Sequence, residues 1–175
     1  PATAHQRLLA RLREYLFVGG MPEAVMEYVE SGSLSEVQEV QRSIVETYQD
    51  DFSKYASRAE LVRLQRIFRQ IPRNIGRKIK YVNLSREERS REVKESVELL
   101  SRAQICQKIG ASYCSGLPLS ADVSDSTYKL VFMDVGIVNF ICGGRWDDIS
   151  LAGQQVLVNE GPLAEQFAGQ HLAYR

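Results

Sequence analysis

Basic side chains crowd the middle of the sequence, with a spacing that suits a surface for phosphate groups. Between residues 61 and 80 there are seven basic residues and no acidic one. At about 100° per residue, the arginines from Arg63 to Arg73 fall on one side of a helix, and four apolar residues from Leu64 to Ile71 fall on the other. A solvated helix face without a ligand is the alternative explanation. The predicted nucleic-acid contacts are Arg63, Arg66, Arg69, Arg73, Arg77, Lys78, Lys80 and Arg91.

Two carboxylates near the end of the chain are the second candidate for chemistry. Glu160 and Glu165 lie at the start of a predicted helix, whose apolar face would carry Leu163, Phe167 and Leu172. Paired carboxylates can hold Mg²⁺ in a nuclease, and they are also favourable at a helix N-terminus. No acidic residue follows Glu165, so the sequence supplies no third carboxylate after the pair. We therefore predict a helix-start pair, with no catalytic residue and no metal site.

Other residue types do not form a recognisable catalytic or metal-binding pattern. The sequence has no Walker A loop, so we expect no ATP site and no cofactor in this chain. Three scattered cysteines, Cys106, Cys114 and Cys142, argue against a disulfide framework and against a zinc site. Asp134 follows an apolar run and is predicted to cap a helix over residues 135–142.

The composition is that of a globular protein, and the charge is unevenly distributed. Of the 175 residues, 44% are hydrophobic and 25% charged. The sequence lacks a membrane-spanning apolar run and a signal peptide, so we expect a cytoplasmic protein without a membrane partner. Residues 1–57 have a net charge of −4, residues 58–102 of +7, and residues 110–175 of −4. This basic island between acidic flanks indicates an anion-binding surface. Because the first residue is Pro1, we also expect the chain to be part of a longer protein.

Periodicity predicts a mainly helical α+β fold. Gly19 and Gly20 interrupt two helices, and Pro22 suits the first turn of the second. Pro72 is expected to end the arginine-bearing helix near Ile71. Helices are predicted at residues 5–18, 34–55, 61–71 and 91–104, and strands at residues 103–113 and 126–134 with a loop at 115–125.

Three helical pieces followed by two strands is the order of a winged helix-turn-helix module. Residues 91–104 would take the place of its recognition helix, where Glu95 and Glu98 disfavour base reading. We expect this module to have one core, formed by Phe68, Ile71, Val97, Leu100 and Phe132.

Seven stretches, in this order, resemble one known domain. It is the domain of unknown function that follows the ATPase core in a large prokaryotic group of P-loop, AAA-type ATPases. The resemblance covers nearly the whole chain and depends on the order of the motifs, since each is weak alone. The stretches are YLFVGGMPEAV, IVETYQDDFSKY, FRQIPRNIGRKIKYVNL, VELLSRAQI, GLPLS, YKLVFMDVGIVNFICG and NEGPLAEQFAGQHL.

The resemblance implies three parts and a function. Residues 1–57 would be a helical region that follows the ATPase core, residues 58–133 a winged-helix-like module, and residues 134–175 the truncated start of a restriction-endonuclease-like domain. Glu165 matches the first acid of that domain, in which a nuclease requires further acids on later strands, and none follows here. The resemblance also implies that ATP and Mg²⁺ are expected only for the ATPase core, upstream of Pro1. The expected function is a non-catalytic accessory region that binds duplex DNA, the ATPase core of the parent chain or another protein partner. A fragment of a Mg²⁺-dependent nuclease-like enzyme and a purely structural interaction module are the alternatives.

Overall fold

A computed structural model describes residues 3–54, 56–112, 114–118, 122–146 and 161–173, with the backbone alone at residues 125 and 126. The fold is α+β and mainly helical, as predicted. Within the described residues there are eight α-helices and one two-stranded sheet. The helices are α1 (Ala4–Val18), α2 (Pro22–Ser31), α3 (Leu34–Asp51), α4 (Arg58–Gln70), α5 (Tyr81–Leu84), α6 (Ser90–Arg102), α7 (Val135–Ile141) and α8 (Gly161–Ala173). The strands are β1 (Cys106–Ser112) and β2 (Val123–Phe132).

The helix ends follow from local sequence. Gly19 has a φ of 79°, which only glycine adopts without strain, and it ends α1. Pro22 then begins α2, which confirms the predicted helix-break-helix corner. The backbone N–H of Ser57 donates to the Glu60 carboxylate over 2.8 Å and fixes the start of α4. This helix ends before Pro72, where a short 3₁₀ turn begins, as predicted.

The sheet is an antiparallel hairpin with a third, single-residue partner. Cys106 pairs with Phe132, and the register shifts after Gly110, so that Ser112 pairs with Val123. Ile79 forms an isolated antiparallel bridge with Tyr128, on the other edge of β2. The predicted loop at residues 115–125 is therefore wrong for its last three residues, which belong to β2. After the register shift, Val123 and Ser124 pair with Ser112 and Ala111 of β1.

One buried cluster contains the five predicted core residues. Phe68, Ile71, Val97, Leu100 and Phe132 all have exposed fractions of at most 1% and lie in the same cluster. The cluster also includes residues of α3 and α7, so it crosses the boundaries proposed after residues 57 and 133. The division into three parts stays a prediction. Gln104 does not extend the buried stripe of α6, because the helix ends at Arg102 and Gln104 is exposed, with a φ of 58°.

Candidate nucleic-acid interface

The eight predicted contact residues lie on α4, on the segment between α4 and α5, and on α6, but their surroundings differ. Arg63 and Arg66 face glutamates that precede or begin α6. Arg63 contacts Glu88 at 3.2 Å and Glu92 at 3.3 Å, and its side chain is only 14% exposed. Arg66 contacts Glu87 at 2.6 Å. These two arginines therefore connect α4 to the segment that leads into α6.

Two further predicted contacts also have partners within the chain. A guanidinium nitrogen of Arg69 donates to the Gln49 side chain over 2.8 Å, which links α4 to α3. Arg91 contacts Glu95 at 3.0 Å, one turn along α6. Exposed i,i+4 pairs of this kind add only a few tenths of a kcal/mol to stability, about 0.3–0.5. They still neutralise the charge that would face a phosphate.

The four remaining contacts form a separate group, which we call the basic segment: Arg73, Arg77, Lys78 and Lys80. All four are exposed, and their side chains form no ion pair or hydrogen bond with another residue in the part of the chain that the structure describes. The segment is therefore a concentrated positive surface that is open to an anion.

Two buried isoleucines hold the basic segment against the core. Ile75 is 5% exposed and Ile79 1% exposed. The Ile79 N–H donates to the Tyr128 carbonyl over 2.7 Å, and the Tyr128 N–H donates back over 3.1 Å. Gly76, with a φ of 69°, provides the turn between them. The cations are thus presented outward by a backbone that is fixed at both isoleucines.

Asp134 is a helix cap, as predicted. Its carboxylate accepts from the Ile137 N–H over 3.0 Å at the start of α7. It also accepts from the Gly20 N–H over 2.7 Å, 114 residues earlier in the chain. Burial raises the pKa of Asp134, although its bonds from backbone N–H groups act in the opposite direction. The carboxylate therefore joins the α1–α2 corner to α7, a structural role.

Helix α8 buries two glutamines beside the predicted apolar face, of which Leu163 and Phe167 are half-buried. Gln166 is 1% exposed, and its side-chain amide forms two bonds with the backbone of Phe132, of 2.8 and 2.7 Å. Gln170 donates to the Tyr15 hydroxyl over 2.9 Å. The prediction was wrong for Leu172, which is 70% exposed. A strand edge requires hydrogen-bonding partners, and a glutamine provides a donor and an acceptor together.

The two candidate carboxylates have different outcomes. Glu165 lies in the second turn of α8 and contacts the Lys129 ammonium group at 2.6 and 2.7 Å. Glu160 lies outside the described residues. In the part of the chain that the structure covers, no group of three or more histidine, cysteine, aspartate or glutamate residues could hold a metal ion. Lys129 was missed by the sequence analysis, because it stands alone in an apolar strand.

Residues 9–148 match the model of a family described as a domain of unknown function, DUF8612. The chain belongs to this family. No curated protein and no solved structure matches it. The DUF8612 description states no activity, so the ATPase and nuclease associations implied by the resemblance stay predictions.

The matched range shows which features are part of the family domain. It includes the α1–α2 corner, the basic segment and Asp134, and it ends before α8, the helix that carries Glu165. Among the described helices, none is both long and apolar enough to cross a membrane.

Proposed function

We propose that this DUF8612 domain is a non-catalytic accessory region of an AAA-type ATPase and that it binds the backbone of duplex DNA. The basic segment carries the proposal: four exposed cations within eight residues, none of them paired with a described residue. Lysine and arginine side chains bind DNA mainly by contacting phosphates and releasing counterions. The ATPase association has a different support, the order of the seven motifs.

The order of the elements supports a winged-helix architecture for residues 58–133. Helix α4 is followed by the bridging residue Ile79, by α5 and α6, and then by β1 and β2. Ile79 forms a single bridge to β2, so the chain after the first helix touches the edge of the hairpin at one residue. Winged-helix modules, a variant of the helix-turn-helix, present such a scaffold to DNA.

The charges on α6 favour contact with the DNA backbone over base reading. This helix takes the place of a recognition helix, and its outward cations are matched by its own glutamates. Arg91 pairs with Glu95 at 3.0 Å, and Lys94 pairs with Glu98 at 3.8 Å. Acidic side chains next to phosphates oppose insertion into the major groove. We therefore propose DNA binding that does not depend on sequence.

The test is a salt titration of duplex DNA binding by the chain and by a charge-reversed variant. If each of the four cations contacts one phosphate, log K should fall against log salt with a slope between about −3 and −4. The Kd at physiological salt should lie in the non-specific range, about 10⁻⁴ to 10⁻⁶ M. Arg73→Glu with Arg77→Glu should abolish retention on DNA and leave the fold intact, because both side chains are exposed.

The matched control reverses two exposed arginines outside the basic segment. Arg7→Glu with Arg58→Glu makes the same change in net charge and should retain DNA binding. Arg66 is unsuitable for reversal, since a carboxylate there would face Glu87 and Glu88. Equal binding by the two double variants, or binding without salt dependence, would refute the proposed DNA interface.

A second candidate function, a protein interaction module, is favoured by the outer face of α2. Val25, Met26 and Val29 are 39%, 61% and 77% exposed, which leaves an unpartnered apolar surface on one helix. Concentration-dependent association that Val29→Asp abolishes, together with equal DNA binding by both double variants, would support this function.

A further inference from the structure

We propose that Lys78 and Lys129 form a phosphate subsite for the DNA backbone, and that Glu165 occupies this subsite in the free protein. The inference rests on the proposed DNA binding and adds to it a binding residue outside the basic segment. It also assigns to α8 a role in limiting access to that residue.

The pairing of Ile79 with Tyr128 brings the two lysines together. The bridge is antiparallel, so the residue before Ile79 lies beside the residue after Tyr128. Those residues are Lys78 and Lys129. Ile79 and Tyr128 are both 1% exposed and point into the core, so their neighbours point to the opposite face. Two lysines at opposed positions beside the bridge, on the same outward face, can together bind an anion.

Glu165 supplies that anion from within the chain. Both of its carboxylate oxygens contact the Lys129 ammonium group, at 2.6 and 2.7 Å. Like charges on opposed residues are unfavourable, and a carboxylate bound to Lys129 lowers the net positive charge of the pair. The side chains of Lys129 and Glu165 are 35% and 41% exposed, so the pair is open to solvent. A DNA phosphate, whose oxygens are also anionic hydrogen-bond acceptors, can replace the carboxylate there.

Helix α8 packs beside the basic segment, so that undocking this helix would enlarge the exposed basic surface. Its first turn packs against the basic segment, because a Cβ added at Gly76 would lie only 2.5 Å from the Pro162 Cα. Gln166, the residue after Glu165, anchors the helix to the backbone of Phe132. A DNA strand that follows the segment from Arg73 towards Lys78 therefore meets the carboxylate of Glu165 next. The carboxylate repels phosphates there and holds Lys129 away from them.

The experiment measures duplex DNA binding by four forms of the full chain over a range of salt concentrations. They are the unsubstituted chain, Glu165→Gln, Lys129→Gln, and the double variant Glu165→Gln with Lys129→Gln. Glu165→Gln should strengthen binding on the order of five- to tenfold near 0.1 M salt and steepen the salt slope by about 1, the amounts expected for one added phosphate contact. The double variant should lose this gain in affinity, because the lysine that Glu165→Gln frees for a phosphate is itself replaced.

A second variant should free Lys129 in a different way, so that the test does not depend on the folding of one variant. Gln166→Leu removes the anchor of α8 and leaves Glu165 intact, so it should also strengthen DNA binding. Unchanged or weaker binding by both Glu165→Gln and Gln166→Leu, when the unsubstituted chain binds DNA through the basic segment, overturns the inference alone. Binding by Glu165→Gln when the unsubstituted chain does not bind supports it. Absence of binding in every form overturns the inference and the proposed function together.

Inorganic phosphate, titrated separately, distinguishes a polymer backbone from a free phosphate. If the subsite serves DNA, inorganic phosphate at the same phosphate concentration should leave the Lys129 side-chain NMR signals unchanged while the duplex shifts them. Equal shifts with both ligands overturn the assignment to a nucleic-acid backbone.

Discussion

Replacing Phe68 by alanine tests the shared core on which the position of the basic segment depends. Phe68 is fully buried, and its ring lies 5.5 Å from that of Phe52 and 5.4 Å from that of Phe132, both in edge-to-face geometry. Truncation of a buried phenylalanine costs about 3–5 kcal/mol. Each edge-to-face pair adds about 0.5–1.5 kcal/mol beyond the buried area, so we expect a loss near the upper end of that range.

Urea unfolding, followed by two probes, measures this loss. Far-UV circular dichroism reports on the helices, and the fluorescence of Trp146, the one tryptophan of the chain, reports on a second cluster through its contact with Phe17 at 5.5 Å. This second cluster shares Met21 and Val40 with the cluster that contains Phe68. We therefore expect Phe68→Ala to shift both transitions together.

A matched control lies on the same helix. Val62 is 53% exposed, and Val62→Ala should change the free energy of unfolding by less than about 0.5 kcal/mol. A loss below about 1 kcal/mol for Phe68→Ala would contradict the packing described above. A Trp146 transition that does not move, while the helical transition does, would show that the two clusters unfold as separate units.

Two further predictions concern a buried thiol and the anchor of α8. Burial raises the pKa of Cys106 to about 11, so only about one Cys106 thiol in a thousand is ionised at pH 8. An alkylating reagent should therefore modify the exposed Cys114 and Cys142 first, and Cys106 only when the protein unfolds. Because this pKa lies above the ordinary 9.0, the thiol's contribution to stability should be lost as pH rises above 9, measurable by urea unfolding. Gln166→Leu should leave the Phe132 N–H and carbonyl unpaired and weaken the docking of α8 by about 2 kcal/mol or more, measurable as faster hydrogen exchange over residues 161–173.

Local sequence patterns predicted the features that depend on residues close together in the chain, such as a buried helix face and a helix cap. The apolar stripe of α4 predicted a buried Phe68, because a helix with one apolar face must cover that face. Asp134 was predicted as a cap from the apolar residues after it. The bond from the Gly20 N–H to the same carboxylate was not predictable, since the two residues are 114 positions apart and meet only when α1 packs beside α7.

The sequence predicted which basic residues form the candidate site, but not which of them are paired with glutamates. Periodicity placed Arg63 and Arg66 on the outward side of α4, but the glutamates that neutralise them come from residues 87–92. Which side of a helix faces another element depends on the turn between them, and the turn at residues 71–80 contains an isolated bridge that no periodic pattern indicates. Lys129 was not predicted either, because only that bridge places Lys78 opposite it, and the two residues are far apart in sequence.

The net charge of a stretch is therefore a poor guide to where an anion binds. Residues 58–102 carry a net charge of +7, which on its own predicts that the whole stretch can bind an anion. Five of its six glutamates lie between residues 87 and 98, and all five pair with cations on α4 or α6. The segment from Arg73 to Lys80 has no acidic residue, and much of the surplus positive charge is concentrated there. Glu165, which pairs with Lys129 on β2, lies on a helix beyond the matched family range. In the proposed mode of DNA binding, the family domain provides the binding surface, and α8 determines how much of that surface is exposed.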